Sequence, residues 1–117
     1  MGRTPEQRLR ILLEWMLPLT PADKRRETGR VMMASERSSD LKVQNFYTAM
    51  DTRMRGLLRE HLAPFVGSSE LDDTVESLRV FFNGIVLSAV ERPNKWTRKR
   101  QLEALYFAMR GLGLPVG

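Results

Sequence analysis

Apolar residues recur along the chain at intervals of three and four, the repeat of one helix face, and nowhere alternate long enough to make a strand. This pattern predicts five helices. The first covers about Pro5–Leu17, with Leu9, Leu12, Leu13 and Met16 on one face and Pro18 as its stop. Thr4-Pro5-Glu6-Gln7 reads as a capping box with proline at the first helical position. The second, about Pro21–Ser35, repeats that start as Thr20-Pro21-Ala22-Asp23, carries Val31, Met32 and Ala34 toward its end, and is weakened at Gly29 by roughly 1 kcal/mol relative to alanine. One of Ser38, Ser39 and Asp40 is expected to cap the third.

The third helix, about Leu41–Phe65, has the widest apolar stripe: Val43, Phe46, Tyr47, Met50, Met54, Leu57, Leu58, His61, Leu62 and Phe65. Pro64 and Gly67-Ser68-Ser69 end it. The fourth, about Asp72–Arg92, opens on acids, as the helix dipole favours. Its main stripe is Val75, Leu78, Phe82, Ile85, Val86 and Ala89, while Phe81, Gly84, Leu87, Ser88 and Val90 make much of the remaining circumference apolar or small. The fifth, about Thr97–Gly111, sets Leu102, Leu105, Tyr106, Met109 and Leu112 on one side and Ala104, Phe107, Ala108 and Gly111 on another. Short connections predict that neighbouring helices pack roughly antiparallel.

The last two helices thus carry more apolar surface than one core uses. Phe81, Gly84, Leu87 and Ser88, with Ala104, Phe107, Ala108 and Gly111, are the candidate faces for a homodimer. Small residues let backbones approach, and a two-fold pairing would place two helices from each chain in an intersubunit four-helix bundle. A monomer with a buried central fourth helix would show much the same pattern. The expected fold class is all-α: an antiparallel bundle of about five helices in a single domain spanning 1–117.

Composition narrows the chemistry. At 117 residues the chain is long enough for one core. It has no cysteine, which removes disulfides, thiol catalysis and thiolate metal sites and fits a cytoplasmic location. No apolar run reaches the roughly 18 residues of a membrane span, so no membrane partner is expected. Arg3, Arg8 and Arg10 precede an apolar stretch, but Glu14 interrupts it and Pro18 closes it, which argues against a signal peptide. The net charge of +5 comes from basic residues mixed with acids along the whole chain, the pattern of solvated helix faces.

Catalytic motifs do not emerge. His61 stands alone on an apolar stripe, and Asp72-Asp73 reads as a helix start. There is no phosphate loop and no nucleophile elbow. Neither enzymatic activity, nor a bound metal, nor a cofactor is expected. The mixture of methionine and aromatic residues in the middle helices suits either an ordinary core or an adaptable apolar pocket.

Leu12-Leu13-Glu14-Trp15-Met16-Leu17-Pro18-Leu19, followed by Asp23-Lys24-Arg25-Arg26-Glu27, resembles the start of the C-terminal domain of TetR-family transcriptional regulators. Phe82-Asn83-Gly84-Ile85-Val86-Leu87 resembles the Asp-Gly-Leu segment of that family's penultimate helix, with Asn83 where aspartate is frequent. Pro93 and Thr97 match the loop and helix start that follow, and the resemblance runs from about Arg8 to Leu112.

The resemblance implies a homodimeric, ligand-sensing repressor domain. A small-molecule effector of unknown identity would enter the helical core and shift the DNA-binding heads. It implicates Met32, Met33, Phe46, Tyr47, Met50, Met54, Phe81 and Phe82 as pocket walls, with Tyr47 and Asn83 as hydrogen-bonding groups. In the family, DNA is bound by an N-terminal helix-turn-helix domain that this chain is not expected to contain. The alternative is a stand-alone helical protein forming mixed dimers with a full-length regulator. A third reading has the Lys24–Arg26 and Arg98–Arg100 clusters bind nucleic acid directly.

Overall fold

The computed structural model describes residues 3–36 and 41–116, with side chains described for 3–30 and 41–116. Its elements are α1 (Pro5–Trp15), α2 (Pro21–Glu36), α3 (Leu41–Leu62), α4 (Leu71–Glu91) and α5 (Arg98–Gly111). All five expected helices form, and there is no strand among the described residues.

Helix starts follow local chemistry. Gln7 N–H donates to Thr4 Oγ1 at 3.1 Å, and Thr4 N–H donates to Gln7 Oε1 at 2.9 Å, closing the box before α1. Thr20 and Asp23 close the same box before α2, and Thr97 accepts from Arg100 N–H at 3.2 Å before α5. The expected cap of α3 lies outside the described residues.

The stops are less regular. Helix α3 ends at Leu62, three residues short of Phe65, because Pro64 has no N–H to continue the ladder and its ring disfavours helical backbone at Ala63. Past α5, Gly113 sits at φ +74°. Leu114 N–H donates to Met109 C=O at 2.8 Å and Gly113 N–H to Arg110 C=O at 3.1 Å, the bond pair of a Schellman motif. Leu114 is thereby folded back and buried.

The core joins Leu9, Leu12, Leu13 and Leu17 to Leu58 and Leu62 of α3, Val75, Leu78, Phe82 and Ile85 of α4, and Leu105 and Met109 of α5. These are the main apolar stripes of α1, α4 and α5. The N-terminal half of α3 departs from expectation: Phe46 is 60% exposed and Met50 43% exposed, and only Leu58 and Leu62 of this helix are fully buried. None of the described side chains of α2 is buried.

Packing order also departs from simple succession. Among the described residues, the closest backbone approaches pair α3 with α4, α2 with α4, α1 with α3 and α1 with α5, so that of consecutive helices only α3 and α4 belong to this set. Composition accounts for this over the described side chains of α2, whose first half offers charged residues to the apolar stripe of α3. The radius of gyration is 15.0 Å, against roughly 13.5 Å for a tightly packed chain of this length.

Candidate functional site

The space that α2 and the first half of α3 leave between them is a cavity of about 1040 Å³. Helix α3 supplies one wall with Val43, Tyr47, Met50 and Met54, a stripe at helical spacing. Helix α4 supplies the floor with Phe82 and Val86. Trp15, Met16, Leu17 and Leu19, from the end of α1 and its exit loop, close one end. Helix α2 faces them with Asp23, Arg26, Glu27 and Arg30. The described part of α2 thus gives the cavity a charged wall, while apolar side chains on the other walls are interspersed with Glu14, Asp51, Arg79 and Arg98.

Of the nine expected pocket residues, Tyr47, Met50, Met54, Phe82 and Asn83 line this cavity. Asn83 is exposed and stands at the rim. Phe46 and Phe81 do not line it. One residue of helix rotates the side chain by about 100°, which carries Phe46 from Tyr47's face to the solvent side. The same rotation takes Phe81 from the face of Phe82 to another part of the core. Each remains in edge-to-face contact with its neighbour, at 5.5 Å for Phe46–Tyr47 and 5.4 Å for Phe81–Phe82. The side chains of Met32 and Met33 lie outside the described residues.

The polar lining was not anticipated. Arg79 lies on the inward face of α4, at helical spacing between Val75 and Phe82. That register was the available signal, and a charge there is easily read as solvated. Arg79 Nη2 donates to Asp51 Oδ1 at 2.6 Å, and Arg55 Nε donates to Asp51 Oδ2 at 2.6 Å. Burial pushes the Asp51 carboxyl up, but hydrogen bonds from Arg55 and Arg79, with their charges, outweigh it and hold it below the usual carboxylate range. Arg55 also pairs with Glu76, and Arg59 with Asp72. The ladder of pairs shows α3 and α4 running antiparallel.

Elsewhere around the cavity, Asp23 pairs with Arg26 at 2.9 Å and Glu27 with Arg30. A hydrogen bond with the Thr20 side chain contributes most to lowering the Asp23 carboxyl. Glu14 accepts a hydrogen bond from the Tyr106 hydroxyl. Burial, and then that bond, push the Tyr106 phenol above its ordinary value. Gln101, fully buried, donates through Nε2 to Pro18 C=O and Trp96 C=O, both at 3.0 Å, and so ties the α1–α2 connection to the start of α5.

Each basic cluster has members engaged within the chain. Lys24 Nζ donates to Pro93 C=O at 2.9 Å, and Arg100 lies 5.0 Å from the centre of the Trp96 ring. That cation–π contact offsets part of the dipole's disfavour for cations at the start of α5. His61 donates from Nδ1 to Leu57 C=O at 2.8 Å and borders a more open depression of about 310 Å³ with Arg3, Arg8, Ile11, Leu12 and Trp15. No helix among the described residues is long and apolar enough to cross a membrane.

The expected pairing faces divide. Val80 is 70% exposed, Leu87 47% and Phe107 74%, and Gly84 and Gly111 are open to solvent. Ala104 and Phe81 pack partly against the core, and Ser88 and Ala108 are half-buried. Val80 was not anticipated, although it sits one turn before Gly84 on the same face.

No curated protein and no solved structure matches the chain. A family model does. Described as "BetI-type transcriptional repressor, C-terminal", it matches residues 5–112, from the first turn of α1 to the end of α5, and on that match the chain belongs to the family of BetI-type transcriptional repressor C-terminal domains.

Proposed function

We propose that residues 1–117 act as a single effector-binding and dimerisation domain of a TetR-type repressor. A small molecule occupies the cavity between α2, α3 and α4, and its binding is coupled to release of DNA by the full-length regulator. The observation that carries this reading is the cavity itself. At about 1040 Å³ it is at the upper end of the range of small-molecule sites, and it combines apolar side chains from α1, α3 and α4 with charged groups that are mostly paired with one another. Its α3 and α4 walls touch it with part of their length and the core with the rest, and its α2 wall packs against α4. An occupant that draws α2 toward α3 therefore changes how α2 sits on α4, and coupling requires such differential contacts.

Dimerisation is assigned to the outer face of α4 and to α5. Val80, Leu87 and Phe107 would leave solvent there, and Gly84 and Gly111 would admit close helix approach. Repressor activity resides in a non-catalytic binding protein of the cytoplasm, and DNA contact belongs to a helix-turn-helix domain of the full-length regulator.

A two-part experiment tests the reading. Sedimentation equilibrium of the chain should give a dimer, and a thermal-shift screen of small amphiphiles should raise its melting temperature. A monomer at every concentration would remove the dimerisation half. Leu-for-Met54 and Leu-for-Phe82 variants that bind every hit as the parent does would remove the cavity as the site.

A further inference from the structure

We propose that the occupant of the cavity is an amphiphile with a single carboxylate head, and that Arg98 receives that head; this rests on the effector-binding reading above. The argument is one of charge pairing. Among the described residues, four carboxylates line the cavity: Glu14, Asp23, Glu27 and Asp51. Each is already taken. Tyr106 donates to Glu14, with Arg10 at 4.0 Å, Arg26 holds Asp23, Arg30 holds Glu27, and Arg55 and Arg79 share Asp51.

Four of the described arginines line the cavity too, and three of them, Arg26, Arg30 and Arg79, are those partners. Arg98 is the fourth, and it makes no hydrogen bond or ion pair among the described residues. It occupies the first position of α5, where unpaired backbone N–H groups add positive potential, and it lies within electrostatic reach of the Tyr106 hydroxyl. A cationic occupant would have to displace an arginine from a carboxylate. An anionic occupant meets a guanidinium with its donors unspent.

The head is a carboxylate because one guanidinium fork matches two coplanar oxygens carrying one charge. A doubly charged phosphate would ask for more donors than this end of the cavity supplies. The remainder of the molecule is apolar, since beyond the α2 wall it meets Trp15, Met16, Tyr47, Met54 and Phe82.

Trp15 reports on occupancy, because it lines the cavity, whereas Trp96 does not and is covered by Arg100. The full chain is titrated with decanoate, decanol and decyltrimethylammonium below their micelle concentrations, following tryptophan emission, with Trp15→Phe as the control for signal origin. Decanoate should bind about tenfold or more tighter than decanol, and the ammonium weakest. Arg98→Gln should erase the advantage of decanoate and leave decanol affinity unchanged; Arg98 is exposed, and circular dichroism checks that the helices persist. If the ammonium binds as well as decanoate, or the variant keeps the preference, the head-group assignment is wrong while the cavity remains a binding site. If none of the three binds, the effector-binding reading falls and takes this proposal with it.

Discussion

Arg79 reaches from the inward face of α4 to Asp51 of α3 and donates to its carboxylate at 2.6 Å, while its own Nε stays buried without a hydrogen-bond partner. Asp51 is thus the group that makes a half-buried arginine tolerable beside the cavity. Asp51→Asn should destabilise the chain by about 1–3 kcal/mol, because the negative charge between two arginines is lost and one of their two acceptor oxygens becomes an amide donor. Arg79→Met should cost less, since it removes the orphaned Nε together with the charge. Urea denaturation of both variants and of the double variant gives the coupling directly, expected at about 1 kcal/mol or more. Two single changes that simply add would show that the contact contributes nothing.

Acid should weaken the same seam. The folded Asp51 carboxyl is depressed, so its contribution is complete above the unfolded value and is lost as pH falls through the folded one. The urea midpoint should therefore be flat from pH 7 to about pH 5 and fall below about pH 4. Asp51→Asn should show a shallower fall, with Asp23, which is also depressed, supplying part of what remains.

Gly84 separates subunit stability from assembly. A Cβ built there meets nothing within 4 Å in the single chain. Gly84→Leu should leave the melting temperature of the monomer unchanged or raise it, because glycine costs about 1 kcal/mol in a helix interior. The same leucine should block a partner helix and abolish the dimer in sedimentation. A dimer that persists would move the interface away from this face of α4.

Two other glycines should respond in opposite directions to alanine. Gly56, inside α3 with open space around it, should gain about 0.5–1 kcal/mol as alanine. Gly113, at φ +74°, should lose about 1–2 kcal/mol and loosen Leu114 from the core. Chemical denaturation of the two variants side by side checks the contrast.

Gln101 is the polar tie at the centre of the fold. Gln101→Met keeps its approximate shape but leaves the carbonyls of Pro18 and Trp96 without this donor. The expected loss is about 1–3 kcal/mol, reduced by removal of the buried Oε1, which has no partner. Equal stability in urea would mean that water serves the two carbonyls as well as Gln101 does.

The sequence by itself determined the helices, because a capping box such as Thr4–Gln7 and a stripe such as Val75–Leu78–Phe82–Ile85 depend on residues within a few positions of one another. It also marked five of the cavity residues, since Tyr47, Met50 and Met54 share a face of α3, and Phe82 and Asn83 adjoin on α4. Tertiary structure alone decided the rest. Whether Phe46 faces the interior, whether Arg79 meets an acid 28 positions away, and whether α2 closes on α3 depend on the angle at which separate helices settle. That angle is a compromise among the volumes of all the side chains between them, and no local stretch of chain contains it.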